Sequence, residues 1–120
     1  MEPSKRRVLI VDDDPSVRKL LRLMLEVGDF DVVGEAVDGL EAVPQAVAHQ
    51  PDFIVLDQEM PNRCGEEAAG MIRSECPDAL IIAFSAVIDK KPTWADAFLE
   101  KHHISDMAPL VEGLIDLRSH

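Results

Sequence analysis

Three short runs of apolar residues, each unbroken by a polar side chain, constrain this chain most. They are Val8-Leu9-Ile10-Val11, Phe53-Ile54-Val55-Leu56 and Leu80-Ile81-Ile82-Ala83-Phe84. A strand with one wet face alternates apolar and polar residues, whereas a strand covered on both faces reads as a continuous apolar run. Longer amphipathic segments lie between the runs. Asp14-Pro15 opens the first, with Asp as N-cap and Pro at the first helical position. Val17, Leu20, Leu21 and Met24 then form a core-facing stripe, and Gly28 closes the helix. Asp31 to Ala36 reads as a second strand. Asp38-Gly39-Leu40-Glu41 resembles a capping box, and Pro44 behind it predicts a kink or a late helix start. Glu66 to Ser74 reads as a third helix and Ala97 to Glu100 as a short fifth strand. Ser105 or Asp106 is the expected cap of a last helix, with Leu110, Leu114 and Leu117 on its stripe. Strands alternating with helices imply an α/β fold: a parallel sheet joined by right-handed crossovers.

One crossover is too short for the usual pattern. Only Ser85 to Asp96 separate the fourth and fifth strands, with Lys90, Lys91 and Pro92 in the middle. A complete crossover usually takes at least ~10–12 residues including its helix, and Pro92 disfavours helix at Lys91. Extended chain covers ~3.3 Å per residue, so a loop or a single turn suffices. The fourth crossover helix is therefore expected to be shortened or absent.

Composition removes several function classes. The chain has 120 residues, 47% of hydrophobic type, and a formal net charge of −11. That length suits one domain over residues 1–120, and the apolar fraction excludes a disordered acidic tail. The acidic balance argues against direct nucleic-acid binding and against anionic membrane surfaces. The longest uncharged stretch, Ala79 to Ile88, is far short of the ~20 residues a membrane helix needs. Lys5-Arg6-Arg7 precede only four apolar residues and then three aspartates, a poor signal peptide. Cys64 and Cys76 form no CxxC pair and read as reduced, inert thiols of a cytoplasmic protein.

In open parallel sheets, ligands bind beyond the carboxyl ends of the strands. Asp12 and Asp13 follow the first strand. Asp57, Gln58 and Glu59 follow the third, Ser85 the fourth and Lys101 the fifth. Carboxylates within ~4 Å repel by roughly 4 kcal/mol per pair at an effective dielectric near 20, so such a cluster takes up protons or a cation. All-oxygen ligation favours a hard ion such as Mg²⁺. A metal beside one carboxylate, with a lysine on its other side, makes a phosphoryl-transfer site with the carboxylate as nucleophile.

At these residues the chain resembles a response-regulator receiver domain. The matching pieces are VLIVDDDPSVRKLL, PDFIVLDQEMPNRCGEE, LIIAFSA and DAFLEK. The resemblance implies a doubly wound, flavodoxin-like five-stranded parallel sheet of strand order 2-1-3-4-5. It implies that Asp57 accepts a phosphoryl group from a histidine kinase or phosphotransfer protein with Mg²⁺ present. Asp12 and Asp13 match the family's acidic pair, Asp13 as a direct ligand, and Glu59 would offer the metal its backbone carbonyl. Ser85 matches the hydroxyl that binds the phosphoryl group, Lys101 the lysine that pairs with it, and Phe98 the aromatic switch. A static core aromatic explains Phe98 equally well. No output domain is expected in this chain, so the activated surface would act on an unidentified downstream protein. The alternative is a degenerate receiver serving as a constitutive interaction or dimerisation module. A small aspartyl-phosphate phosphatase is a third reading, but the chain offers neither a second suitable Asp two residues after Asp57 nor a cap.

The chain departs from the family in several places. The Ser85–Lys101 interval is several residues shorter than usual, and the loss falls on the usual output and dimerisation face. The family's Lys-Pro is Lys101-His102 here, which favours a trans peptide, since cis without proline costs about 2.5–4 kcal/mol. Cys64 stands where an Asp often precedes the glycine, and Glu59 and Val87 occupy positions that tune phosphoryl lifetime. Arg18, Lys19 and Arg22 form a basic patch on the helix that contacts the kinase in the family; a solvated face accounts for them equally. Trp94 reads as packing; the sharper alternative is that it covers sheet left bare by the absent helix or sits in a dimer contact, and His102 and His103 read as exposed loop residues.

Overall fold

The computed structural model describes residues 6–59, 65–86 and 91–119. Cys64, Val87 and Lys90 lie outside them. Five strands form one parallel sheet: β1 (Arg7–Val11), β2 (Asp31–Ala36), β3 (Phe53–Asp57), β4 (Leu80–Ser85) and β5 (Ala97–Glu100). Their order is β2-β1-β3-β4-β5, as the resemblance implies. Helices α1 (Pro15–Val27), α2 (Gly39–His49), α3 (Gly65–Glu75) and α4 (Met107–Ser119) flank it.

The apolar runs divide residue by residue between two cores, because successive strand side chains point to opposite faces. Leu9, Val11, Ile54, Leu56 and Ile81 pack under α2 and α3, with Ala42, Ala46, Ala68, Ala69 and Ile72. Val8, Ile10, Phe53, Val55, Ile82 and Phe84 pack under α1 and α4, with Leu21, Leu25, Met107 and Val111. The α2 and α3 contribution is mostly alanine, which lets those helices lie close to the sheet.

Local signals act as their chemistry requires. Asp14 Oδ1 accepts the Ser16 N–H at 2.9 Å, with Pro15 at the first helical position. Asp38 Oδ1 accepts the Glu41 N–H at 2.9 Å, and Glu41 Oε1 accepts the Val37 N–H at 3.2 Å, a capping box displaced by one residue. α2 starts at Gly39 and continues through Pro44, so the late start expected from that proline does not occur. Gly28 closes α1, donating to Met24 O at 3.1 Å, but the left-handed residue is Asp29, with φ 73°. Gly28 serves a close approach instead: a Cβ there would sit 2.8 Å from Ala108 Cβ of α4.

Two helical stripes differ from expectation. In α1 the fully buried residues are Leu21 and Leu25, and Leu20 is exposed. In α4 the buried pair is Met107 and Val111, and Leu117 is 77% exposed. The expected cap region, Ser105-Asp106, already belongs to a 3-10 helix over Lys101–Asp106 that runs into α4. No cis peptide occurs among the described residues, so Lys101-His102 is trans.

No described residue between β4 and β5 is helical. The crossover is pinned at its exit. Asp96 N–H donates to Ile81 O at 2.8 Å, and Asp96 Oδ2 accepts the Ile81 N–H at 2.8 Å and Arg73 Nη2 at 2.9 Å. Asp96 thus binds both backbone groups of one β4 residue. Trp94 packs on the α2/α3 core, and Arg73 Nη2 also donates to Trp94 O at 3.1 Å. A Cβ on Gly65 would meet the Trp94 ring at 3.1 Å, so α3 begins with glycine where the indole passes. Lys91 Nζ donates to Ala95 O at 2.8 Å. No helix among the described residues is long and apolar enough to cross a membrane.

Candidate functional site

Parallel pairing brings four strand ends to one edge. Asp57 is the last residue of β3 and sits opposite Phe84 of β4; Ser85 ends β4 opposite Glu100 of β5. Lys101 follows β5 directly. Asp12 follows β1, its N–H donating to Ala36 O at 3.1 Å, so the ladder with β2 runs one residue beyond the strand.

At this edge Asp12, Asp13 and Asp57 each offer a carboxylate oxygen within 4.8 Å of the others. Asp12 and Asp57 are essentially inaccessible, at 0% and 1%, while Asp13 is exposed. Lys101 Nζ lies 2.9 Å from Asp12 Oδ2 and 3.2 Å from Asp57 Oδ2, and 5.8 Å above the Phe84 ring. Two turns fix the acids from their own loops. Asp12 Oδ1 accepts the Asp14 N–H at 2.9 Å, and Asp57 Oδ1 accepts the Glu59 N–H at 3.0 Å.

The charges do not balance internally. Burial pushes Asp57 up to about 6 from the ordinary carboxylate value, with Asp12 adding to the rise, against the Glu59 N–H and Lys101, which lower it. Burial pulls Lys101 down, but Asp12 and Asp57 outweigh it and hold the ammonium above its ordinary value. At the cluster three carboxyl side chains face one lysine. Asp12 Oδ2 is buried and meets Lys101 only off the hydrogen-bonding direction, leaving that oxygen without a well-aligned donor. A buried acceptor without a donor costs about 1–3 kcal/mol or more when charged. A divalent cation with oxygen ligands would relieve both deficits, and the donor set fits one.

The other expected site residues fall as follows. Ser85 is buried, and its hydroxyl donates to Glu59 Oε1. The Glu59 side chain therefore engages Ser85, a contact the spacing did not reveal. Phe98 is half-buried and pairs in register with Ala83. Arg18 and Arg22 both bind Glu35, at 3.1 and 2.8 Å, and Arg18 Nη1 donates to Asp12 O at 2.8 Å. The basic patch is thus partly an ion-pair network leaning on the site's β1 loop. Glu35 carried no sequence signal, because it lies 17 residues from Arg18. Cys76 is buried, and that burial pushes its thiol up, as for an inert cysteine.

The chain is similar to known proteins. A family model described as the response regulator receiver domain matches residues 8–104. The transcriptional regulatory protein PdtaR of Mycobacterium tuberculosis is 41% identical over 113 residues, covering 89% of this chain and 55% of that protein. The chain thus spans about half the length of that relative. The response regulator domain of Thermotoga maritima CheB superposes with a TM-score of 0.81 at 32% identity, over 95% of this chain and 96% of that one. The response regulator TrrA of the same organism, solved with Mg²⁺ and BeF, superposes with 0.81 at 32% identity, over 91% and 98%. TrrA solved in complex with the histidine kinase ThkA gives 0.78 at 31%, over 91% and 97%.

Proposed function

The chain belongs to the response-regulator receiver domain family, and from that premise we propose that Asp57 accepts a phosphoryl group from a histidine kinase or phosphotransfer protein. The convergence of buried Asp12 and Asp57 on one ammonium, Lys101, carries the reading. The Mg²⁺-bound and kinase-bound forms of the similar TrrA support its chemistry and its partner.

Asp12, Asp13, Asp57 and the Glu59 backbone carbonyl would hold Mg²⁺, which when bound neutralises charge on the phosphoryl oxygens. The protein's own part is positioning and electrostatics. A carboxylate oxygen of Asp57 forms the new P–O bond while the P–N bond of a phosphohistidine breaks, and the imidazole leaves with the electron pair. The Glu59 N–H holds one Asp57 oxygen and fixes the plane of the carboxylate. Lys101, already at Asp57 Oδ2, meets the negative charge delivered there. Ser85 must exchange its bond to Glu59 for one to a phosphoryl oxygen. That exchange changes the β4 end and gives the domain a second surface for a downstream protein. In this role the chain is a phosphoryl acceptor rather than a turnover catalyst.

Intact mass after incubation with acetyl phosphate and Mg²⁺ tests the reading. The expected result is a gain of about 80 Da, the mass of one phosphoryl group, that does not form when EDTA is present from the start and is absent in Asp57→Asn. No gain with any phosphodonor would overturn it.

A further inference from the structure

We propose that Glu100, His102 and His103 form a second cation site, selective for a borderline transition ion of the Zn²⁺ class and separate from the acidic pocket. The three residues each present one ligand atom within 4.8 Å of the others. His102 Nδ1 lies 3.2 Å from Glu100 Oε2. Zn–N and Zn–O bonds of ~2.0–2.1 Å at a tetrahedral angle place two ligands about 3.3 Å apart, so this pair already has the span of neighbours on one ion. The two imidazoles lie side by side, with centroids 4.1 Å apart and planes at 43°. His103 interrupts the 3-10 helix with φ −101° and ψ 26°, and this break in the helix lies at the site. His103 Nδ1 is also 3.9 Å from Asp106 Oδ2, a carboxylate within reach as a fourth ligand.

The donor set separates the two sites by chemistry. The acidic pocket offers only oxygen and suits a hard ion, whereas two imidazoles with one carboxylate suit Zn²⁺, Ni²⁺ or Cu²⁺. Both histidines are exposed, so the ion reaches them from solvent and keeps water on its open positions. Placement gives the site a consequence. Glu100 and His102 are the immediate neighbours of Lys101, which reaches Asp12 and Asp57. An ion held on both sides of Lys101 fixes the backbone from which that lysine extends. Binding of the ion does not depend on the phosphoryl reading; only its effect on Asp57 does.

Calorimetric titration of the full chain with Zn²⁺, in saturating Mg²⁺ to fill the acidic pocket, tests the proposal. One Zn²⁺ per chain is expected, with shifts of the His102 and His103 imidazole signals by NMR. The variants H102Q and H103Q should each lose at least ~10-fold in affinity, the scale by which ligand-shell changes weaken metal sites. D57N and H49Q should bind as wild type. Absence of binding, unchanged binding in H102Q and H103Q, or loss in D57N, H49Q or C64S/C76S instead would overturn the site. Retention of Zn²⁺ binding in a chain that fails to phosphorylate would sink the phosphoryl reading and leave this one standing.

Discussion

Asp57 carries a cost that pH makes measurable. Its folded-state value of about 6 exceeds the ordinary 3.8, with burial as the largest cause. Between those values the folded chain holds a proton that the unfolded chain has released. The unfolded state then binds fewer protons, so stability falls as pH rises through that window. At 1.36 kcal/mol per unit, the contribution is about 3 kcal/mol, present below pH ~4 and lost above pH ~6. In EDTA, urea denaturation should therefore show the stability of wild type relative to Asp57→Asn falling by about that amount between pH 4 and 7. A difference that does not change with pH would show that Asp57 is not held in this way. The acidic cluster itself was legible in the sequence, because strand ends in a parallel sheet share an edge, Asp12 and Asp57 each follow an apolar run, and Lys101 follows the short fifth strand. The bond from Ser85 to Glu59 was not. It joins side chains 26 residues apart through rotamers that spacing does not encode.

Elements explain both the agreement and the misses. β1, β3 and β4 were legible to within one residue, because burial on both faces demands an apolar residue at every position. Helix starts were legible because Asp14 and Asp38 act on backbone groups two and three residues away. Leu20 and Leu117 misled because an amphipathic pattern gives a direction only to within about one residue's rotation. The packing of α1 on α4 at Gly28 decides between the neighbouring stripes. The crossover was legible as short, but not its anchor. Asp96 acts as an extra strand residue, binding Ile81 on both sides and holding Arg73. Asp96→Ala strands the Ile81 N–H and removes the carboxylate partner of Arg73, and should lower stability by about 1–3 kcal/mol in chemical denaturation. Emission from Trp94, the chain's one tryptophan, should shift red as the indole loses its seat against Gly65. Unchanged stability and emission would show that the crossover is held elsewhere.

At the scale of the molecule, the sheet is a partition. The Ile10 side chain belongs to the core under α1 and α4, and Ile72 to the core under α2 and α3. Ile10→Val and Ile72→Val should each cost about 0.5–1.5 kcal/mol. Their double variant should cost the sum to within about 0.5 kcal/mol, as for sites with no shared partners. A coupling well above that would mean the backbone carries strain from one face to the other. If the sum holds, each face tolerates substitution on its own terms. The surface over α1 and α4 could then diverge toward a new partner while the opposite face keeps its packing. The strand ends between them, where the acidic cluster sits, are the part that neither face can alter alone.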